Sequence, residues 1–113
     1  MNDCIFCKIV AGAIPSQKAF ENEELLAFHD VTPQAPVHLL LIPKRHLASL
    51  DDVGDEEQGL LGRLLAAIPQ VARENGIAGA YRVVNNCGAD AGQSVFHIHF
   101  HLLGGRAMNW PPG

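Results

Sequence analysis

Three histidines alternate with apolar residues close to the carboxyl end of the chain. The segment reads His97-Ile98-His99-Phe100-His101-Leu102-Leu103. Successive side chains of a β-strand point to opposite faces, so the pattern predicts a strand over 97–103 with three imidazoles on one face. Ile98, Phe100 and Leu102 then point into the core. Alternation alone also describes a strand with one solvated face, but three histidines rarely form such a face.

Imidazoles in one row suit two kinds of chemistry. They ligate metals, and a neutral imidazole is also a nucleophile near pH 7. The preceding loop, residues 85–94, is rich in Gly, Asn and Ser. Its backbone N–H groups, the Asn86 amide and the Ser94 hydroxyl can turn toward an anion, although most loops of this composition are only turns. Next to three aligned imidazoles, the loop favours a phosphate pocket.

Composition and charge limit the classes of function. The chain has 113 residues, 48% hydrophobic and 18% charged, and we expect one complete globular domain over residues 1–113. A net charge of -4 argues against binding of duplex nucleic acid, because the one basic cluster, residues 44–46, is too small. No apolar run is long enough to span a membrane. Three cysteines and no secretory signal predict a cytoplasmic protein.

Apolar periodicity predicts five strands and two helices. The predicted strands are residues 17–20, 25–29, 37–42, 81–84 and 97–103. A short helix is expected over 5–10. A long helix is expected where acids at 51–57 precede leucines spaced by three and four, and it should end near Gly76. Pro69 lies inside this helix and should kink it or leave a hydrogen bond unmade.

The order of the predicted elements indicates the fold class. Strands follow one another in succession, which favours an α+β fold with a five-stranded antiparallel sheet, one long helix and a short N-terminal helix. Residues 37–42 are almost wholly apolar, so this strand should be central and buried on both faces, with His38 as its polar member.

The chain resembles the histidine triad (HIT) superfamily, whose signature is His-φ-His-φ-His-φ-φ with φ apolar. The match is nearest to the histidine triad nucleotide-binding (Hint) branch and extends over nearly the whole chain. Besides 97–103, it rests on residues 5–9, 27–38, 42–46, 92–94, 103–106 and 110–113. The resemblance implies a HIT-like fold that pairs into a homodimer.

The same resemblance implies a purine nucleoside phosphoramidase, which cleaves the P–N bond of adenosine or guanosine 5′-phosphoramidates through a covalent nucleotidyl-histidine intermediate. His99 would be the nucleophile. His101 would hydrogen-bond the phosphate oxygens, and Ser94 would contact the leaving group. His97 and His38 would orient His99 and relay protons. No cofactor would be required for catalysis.

The resemblance also implies a binding site for a purine nucleoside monophosphate. Its nucleoside part would consist of Phe6, Ile9, Phe28, His29, Asp30 and Val31, with Asp30 accepting hydrogen bonds from the ribose hydroxyls. Its phosphate part would consist of Asn86, Gly92, Gln93, Ser94, His99 and His101. The C-terminal tail containing Trp110 would cross toward the partner subunit's site and tune the choice of leaving group.

A metal site is implied by a variant of the same family pattern. Cys4-x-x-Cys7 provides only two ligands, and some relatives complete the set with histidines. Here the four ligands would be Cys4, Cys7, His46 and His97, holding a structural zinc that ties the N-terminal helix to the sheet. Because a metal-bound imidazole cannot relay protons, this role of His97 conflicts with a catalytic one.

Three alternatives use the same residues differently. The chain could be a nucleotide-binding regulatory dimer with little turnover. It could be a metalloenzyme whose three histidines hold a catalytic metal with an open position. It could also belong to a branch that cleaves dinucleoside polyphosphates or transfers nucleotides to phosphate. Residues 92–94 and the tail at 110–113 favour the Hint branch over the last of these.

Overall fold

The computed structural model describes residues 3–113. The helices are α1 (Ile5–Val10) and α2 (Gln58–Glu74), and the strands are β1 (Lys18–Glu21), β2 (Leu25–His29), β3 (Val37–Pro43), β4 (Tyr81–Val84) and β5 (Phe100–Gly104). Short 3-10 turns lie at Leu50–Asp52, Asp55–Glu57 and Ala89–Ala91. Within residues 3–113, none of the helices combines the length and hydrophobicity needed to cross a bilayer.

The five strands form one antiparallel sheet in the order β1-β2-β3-β5-β4. This confirms the predicted fold class, and β3 is the central strand. Alternate residues of β3 point to opposite faces. Leu39 and Leu41 pack in the larger core with α2, whereas Leu40 and Ile42 pack in a second core with α1. The two-sided burial explains why β3 is almost wholly apolar.

Helix α2 covers one face of the sheet. Its buried side chains recur at helical spacing and include Leu60, Leu64, Ile68 and Val71, and each fully buried aliphatic side chain contributes about 2 kcal/mol. The helix continues through Pro69 and ends one residue before Asn75, followed by Gly76 at φ 75°. The predicted end was therefore right within two residues. The acids expected in the first turn of the helix lie instead in the two 3-10 turns before it.

The start of β5 differs from the prediction. Strand pairing begins at Phe100 rather than at residue 97. Continuing the β3–β5 register would bring Pro43 opposite Ile98, and proline has no N–H to donate. Other groups complete the hydrogen bonds before the strand: Ile98 N donates to Leu47 O at 2.6 Å, and Asn85 Nδ2 donates to His99 O at 2.9 Å.

Candidate active site

A cavity of about 450 Å³ opens on the face of the sheet that carries α1. We call it the main cavity. Nine residues expected to bind substrate or take part in catalysis line it: Phe6, Ile9, Phe28, His29, Asp30, Val31, Ser94, His99 and His101. Apolar walls with a few convergent polar groups are typical of sites for small ligands.

Local structure explains how the apolar wall forms. Phe6 and Ile9 lie three residues apart on α1, so both point from one face of the helix onto the sheet. Phe28 on β2 and Leu40 on β3 are direct cross-strand partners and therefore share that face. The Phe6 and Phe28 rings meet edge to face, with centroids 5.4 Å apart. These contacts build an apolar slot of the kind a flat aromatic base requires.

The ring of His99 is held in one tautomer. Its Nδ1 lies 2.8 Å from the backbone carbonyl of His97, and a carbonyl can only accept, so Nδ1 carries the proton. The Nε2 atom of the neutral ring then keeps its lone pair. His99 is 6% exposed and lines the main cavity, and its ring contacts Phe6 edge to face with centroids 5.1 Å apart. This is the protonation pattern that a nucleophilic imidazole needs.

A chain of hydrogen bonds also fixes the tautomer of His101. The backbone N–H of Gln34 donates to His38 Nδ1 at 3.0 Å, so the proton of a neutral His38 lies on Nε2. His38 Nε2 is 2.8 Å from His101 Nδ1, which therefore accepts. The remaining ring nitrogen of His101, Nε2, carries a proton and can donate a hydrogen bond. The ring centroids of His99 and His101 are 5.2 Å apart, so the donor nitrogen of His101 and the unprotonated nitrogen of His99 belong to neighbouring rings.

Burial keeps these imidazoles neutral. Desolvation, followed by the nearby His99 and His38, lowers the pKa of His101 to about 4. Desolvation also lowers the pKa of His38, and Asp30 opposes this shift, since its Oδ2 lies 3.4 Å from His38 Nε2. Both rings are therefore uncharged near pH 7, as the hydrogen-bond chain requires.

Asp30 occupies the rim of the main cavity at the end of β2. One carboxylate oxygen accepts the backbone N–H of Thr32 at 2.8 Å, which fixes the turn. The other oxygen faces His38 at 3.4 Å. The next residue, Val31, is 97% exposed and lines the mouth of the cavity. A carboxylate at this edge has free acceptor sites for hydroxyl groups of a ligand.

The loop before the triad is arranged differently from the expectation. Ser94 lines the main cavity, but Asn86, Gly92 and Gln93 do not. The Gln93 side chain is buried, and its amide binds the chain itself: Oε1 accepts the Gly88 N–H at 2.8 Å, and Nε2 donates to the carbonyls of Ala48 and Val95. Gln93 therefore shapes the loop rather than facing a ligand.

Within this loop, Gly92 turns the chain and Asn86 packs beside it. Gly92 has φ 100°, a conformation that side chains other than glycine rarely adopt. A Cβ at residue 92 would lie 3.6 Å from the Asn86 amide nitrogen. Neighbouring Asn85, which the sequence did not single out, binds the His99 carbonyl. The Asn-rich segment thus supports the backbone of His99.

The side chain of His97 points away from the main cavity into a cluster with Cys4, Cys7 and His46, which we call the Cys–His cluster. One potential ligand atom from each residue lies within 4.8 Å of the others. His97 Nδ1 is 3.4 Å from Cys4 Sγ, 3.5 Å from Cys7 Sγ and 3.2 Å from His46 Nδ1. The four residues predicted to bind metal therefore come together.

The spacing in the Cys–His cluster fits a tetrahedral ion. Bonds of about 2.3 Å to sulfur and about 2.0 Å to nitrogen place sulfur and nitrogen ligands about 3.5 Å apart and two nitrogens about 3.3 Å apart. Cys7 Sγ and His46 Nδ1 are 3.3 Å apart, close to this sulfur–nitrogen spacing. His97 Nε2 donates to the Pro43 carbonyl at 2.7 Å, as the second nitrogen of a metal-bound histidine usually does. The residues present fit zinc.

A family profile described as HIT domain matches residues 11–108. The chain belongs to the HIT family. The relative named "Adenylylsulfatase HINT1" from Arabidopsis thaliana is 50% identical over 111 residues, which cover 96% of this chain and 76% of the relative. The "14 kDa zinc-binding protein" of Brassica juncea is 49% identical over 113 residues, covering 98% of this chain and 100% of the relative.

Solved structures show the same relationship. The crystal structure of a HIT family hydrolase from Legionella pneumophila has a TM-score of 0.96 and 49% identity, and the match covers 98% of this chain and 100% of that one. The two chains therefore share one fold over nearly their whole length. Together with the HINT1 relative, it places the chain in the Hint branch of the HIT family.

The HIT signature histidines divide between two places in this member of the family. His99 and His101 line the main cavity, whereas the His97 side chain lies in the Cys–His cluster. The three rings do not form the single row expected from the sequence, because only His101 belongs to β5. His97 binds His99 through its backbone carbonyl, whereas its ring contacts Cys4, Cys7 and His46.

Several lining residues were missed by the sequence reasoning. They are Ile5, Ile14, Pro15, Ser16, Gln17, Leu40 and Val95. Leu40 could have been found, because it lies two residues from His38 on β3 and so shares its face. The irregular segment from Ile14 to Gln17 carries no periodic signal. Trp110 is 80% exposed, does not line the cavity, and lies under the guanidinium of Arg82 at 5.9 Å.

Proposed function

We propose that this HIT protein is a hydrolase that cleaves nucleoside 5′-phosphoramidates, with His99 as a covalent nucleophile. One observation carries the proposal: His99 donates its Nδ1 proton to the His97 carbonyl and keeps a bare Nε2 atom, in a cavity of nucleoside size, beside His101. A neutral imidazole fixed in this tautomer attacks phosphorus without a separate base.

The reaction has two displacements. In the first, His99 Nε2 attacks the α-phosphorus and the P–N bond breaks, so that the nucleotidyl group is bound to His99. The positive charge that develops on the ring is stabilised by the Nδ1–H bond to the His97 carbonyl. The Ser94 hydroxyl contacts the departing nitrogen. In the second displacement, water attacks phosphorus and loses a proton to solvent, the bond between phosphorus and His99 Nε2 breaks, and the nucleoside monophosphate is released.

His101 and His38 act on the phosphate group. His101 donates from Nε2 to a phosphate oxygen, and His38 maintains that tautomer by donating to His101 Nδ1. Because both rings are neutral near pH 7, the donor stays in place during each displacement. Proton movement in the phosphate site therefore depends on His38 and His101 rather than on His97.

The nucleoside part of the ligand occupies the apolar slot. Phe6, Ile9 and Phe28 would contact a purine base, and Asp30 would accept hydrogen bonds from the ribose hydroxyls. A relative named an adenylylsulfatase supports an adenylyl group as the part that is transferred. A phosphoramidate and an adenylyl sulfate share that group and differ only in what leaves the phosphorus atom.

Zinc is proposed as a structural ion of the Cys–His cluster, held by Cys4, Cys7, His46 and His97. When bound, the ion supplies a cross-link between the start of α1, the loop after β3 and the triad segment. The fit of the ligand distances supports this proposal, as does the zinc-binding name of the Brassica juncea relative. Catalysis at His99 requires no further cofactor.

A homodimer is proposed as the assembled form. Strand β4 lies at an edge of the sheet with Val83 38% exposed, and Trp110 is 80% exposed outside the main cavity of its own chain. An unpaired strand edge beside exposed apolar side chains is suited to pairing with a second copy. Light scattering after size exclusion measures the mass directly, and a monomer at micromolar concentration would overturn this assignment.

The test uses adenosine 5′-phosphoramidate and acid quenching within one turnover. We expect wild-type protein to release adenosine monophosphate and to show an acid-labile adenylyl adduct by intact mass. His99→Ala should form no adduct and lose about 1000-fold or more in kcat, with adenosine monophosphate still bound. Leu65→Ala, at an exposed position of α2, is the matched control and should behave as wild type.

Two outcomes would overturn the proposal. Binding of adenosine monophosphate by the wild type, without an adduct or amine release, would identify a nucleotide-binding module with little turnover. Equal activity of wild type and His99→Ala, abolished in both by a chelator, would point to metal-dependent hydrolysis instead.

A further inference from the structure

A second cavity of about 420 Å³ adjoins the main cavity. The two cavities share Ile5, Ser94 and Val95 in their linings. Ser94 is therefore at the junction between them. A ligand whose phosphate group lies near Ser94 in the main cavity can extend a substituent past this residue into the second cavity.

The second cavity presents apolar side chains that are not covered by the fold. Phe96 is 50% exposed and Ile5 is 46% exposed, and both line it. Within residues 3–113, seven large hydrophobic side chains are exposed, and three of them, Ile5, Val31 and Phe96, border the two cavities. An exposed aromatic ring in a concave surface next to a reaction centre is suited to contact with an apolar group of a ligand.

Charge restricts which groups the second cavity accepts. Over the part of the chain that the structure describes, no lysine or arginine lines it, and Asp3 contributes a carboxylate. The imidazole of His46 is directed to the Cys–His cluster. A second nucleotide or a polyphosphate would therefore meet no lysine or arginine there, whereas an uncharged or cationic group meets no repulsion from such side chains.

We propose that the second cavity is a leaving-group subsite that selects aromatic amines without negative charge, with Phe96 as its main contact. This inference rests on the proposed function and names its substrate class. As His99 Nε2 forms its bond to phosphorus, the substrate P–N bond breaks. The amine leaves with the electron pair, takes up a proton from water and lies against Phe96 and Ile5.

The experiment compares two substrates that differ only in the amine. One is adenosine 5′-phosphoramidate with an unsubstituted nitrogen, and the other carries 2-phenylethylamine. We expect kcat/KM of wild type to favour the aromatic amine, and the ratio of the two values to fall about tenfold in Phe96→Ala, because the ring contact is lost. Leu65→Ala removes an equally exposed side chain outside both cavities and should keep the ratio.

A second pair of substrates tests the charge. Adenylyl phosphoramidates of phenylalanine and of phenylalanine amide differ by one carboxylate. The wild type should prefer the amide, and Asp3→Asn should reduce this preference about threefold, since an exposed charge acts weakly through water. Equal treatment of both compounds by the wild type would contradict selection against negative charge.

The results also separate this inference from the proposed function. A folded Phe96→Ala variant with the wild-type substrate ratio overturns the subsite while leaving phosphoramidate cleavage intact. If circular dichroism shows that Phe96→Ala is unfolded, the ratio of the two kcat/KM values is measured in Phe96→Leu and in Ile5→Ala instead. If no phosphoramidate is cleaved at all, the proposed function fails. The subsite is then judged by calorimetric affinities of the first two compounds, and equal affinities overturn it.

Discussion

The backbone carbonyl of His97 accepts a hydrogen bond from Nδ1 of His99 at 2.8 Å, while the ring of His97 lies in the Cys–His cluster. One residue thus connects the proposed zinc site to the proposed nucleophile. An ion bound in the Cys–His cluster would therefore hold the carbonyl that orients His99 without contacting the substrate itself.

Loss of the thiols should release the metal and destabilise the fold. We expect purified wild-type protein to contain one zinc per chain and Cys4→Ser/Cys7→Ser to contain none. With free zinc about a thousandfold above its dissociation constant, binding to the native state alone contributes about 4 kcal/mol. The zinc content is measured by inductively coupled plasma mass spectrometry, and the free energy of unfolding is measured by urea denaturation. Cys87→Ser is the matched control, and wild type without zinc would disprove the metal site.

Replacement of Gln93 should destabilise the loop before the triad. Its buried amide makes three hydrogen bonds to the backbone of that loop and of Ala48. Gln93→Ala leaves these groups without partners, which costs about 2 kcal/mol and lowers Tm by about 8 °C. Gln70→Ala on the exposed side of α2 provides the comparison in thermal melts. An equal Tm for both variants would show that the Gln93 amide does not stabilise the loop.

Stability should decrease as the solution becomes acidic. The pKa of His101 is about 4 in the folded protein, against about 6.5 in an unfolded chain. The unfolded chain therefore binds a proton that the native state does not. The contribution of His101 to the free energy of unfolding is complete above pH 6.5 and decreases toward pH 4, by on the order of 2 kcal/mol.

Urea midpoints measured from pH 7.5 to 4.5 test this pH dependence. The Cys4→Ser/Cys7→Ser background removes competition between protons and metal for the same ligands. Adding His101→Gln should flatten the slope. A slope that this substitution leaves unchanged would assign the pH effect to other groups.

Asp30 should recognise the ribose hydroxyls. Asp30→Asn keeps an oxygen for the Thr32 N–H but loses the charge that strengthens hydrogen bonds to a diol. We expect kcat/KM for adenosine 5′-phosphoramidate to fall about tenfold. For the 2′,3′-dideoxy substrate, kcat/KM should change about twofold or less. Steady-state kinetics with both substrates provides the comparison. The same loss for both substrates would mean that Asp30 acts through His38 rather than on the ribose.

Local patterns predicted most of the fold. Strands β2 and β4 and helix α1 have the predicted bounds, because each is a short apolar segment between clear turn residues. The two-sided burial of β3 followed from its unbroken run of apolar residues. The start of β5 was wrong because it depends on Pro43 in a different strand. No pattern within residues 97–103 contains that information.

The residues of the site could be predicted only where the resemblance to the HIT family matched them to positions of the family pattern. Residues on regular elements, such as Phe6, Phe28 and His101, lie in the main cavity as expected. Gln93 and Asn86 do not line it, since a loop sequence does not show whether an amide faces the ligand or its own backbone. The role of His97 was left in conflict between metal and catalysis. The ring and the carbonyl of this residue bind different partners, so a metal-binding ring is compatible with a carbonyl that supports His99.

The alternation along β3 separates two kinds of mutational outcome. Leu39 and Leu41 pack with α2, whereas Leu40, between them, lines the main cavity. Changing the size of Leu39 or Leu41 alters the packing against α2, whereas changing Leu40 alters both its packing against α1 and the shape of the main cavity. In the central strand, a search for variants with new substrates can therefore concentrate on Leu40 and leave Leu39 and Leu41 unchanged.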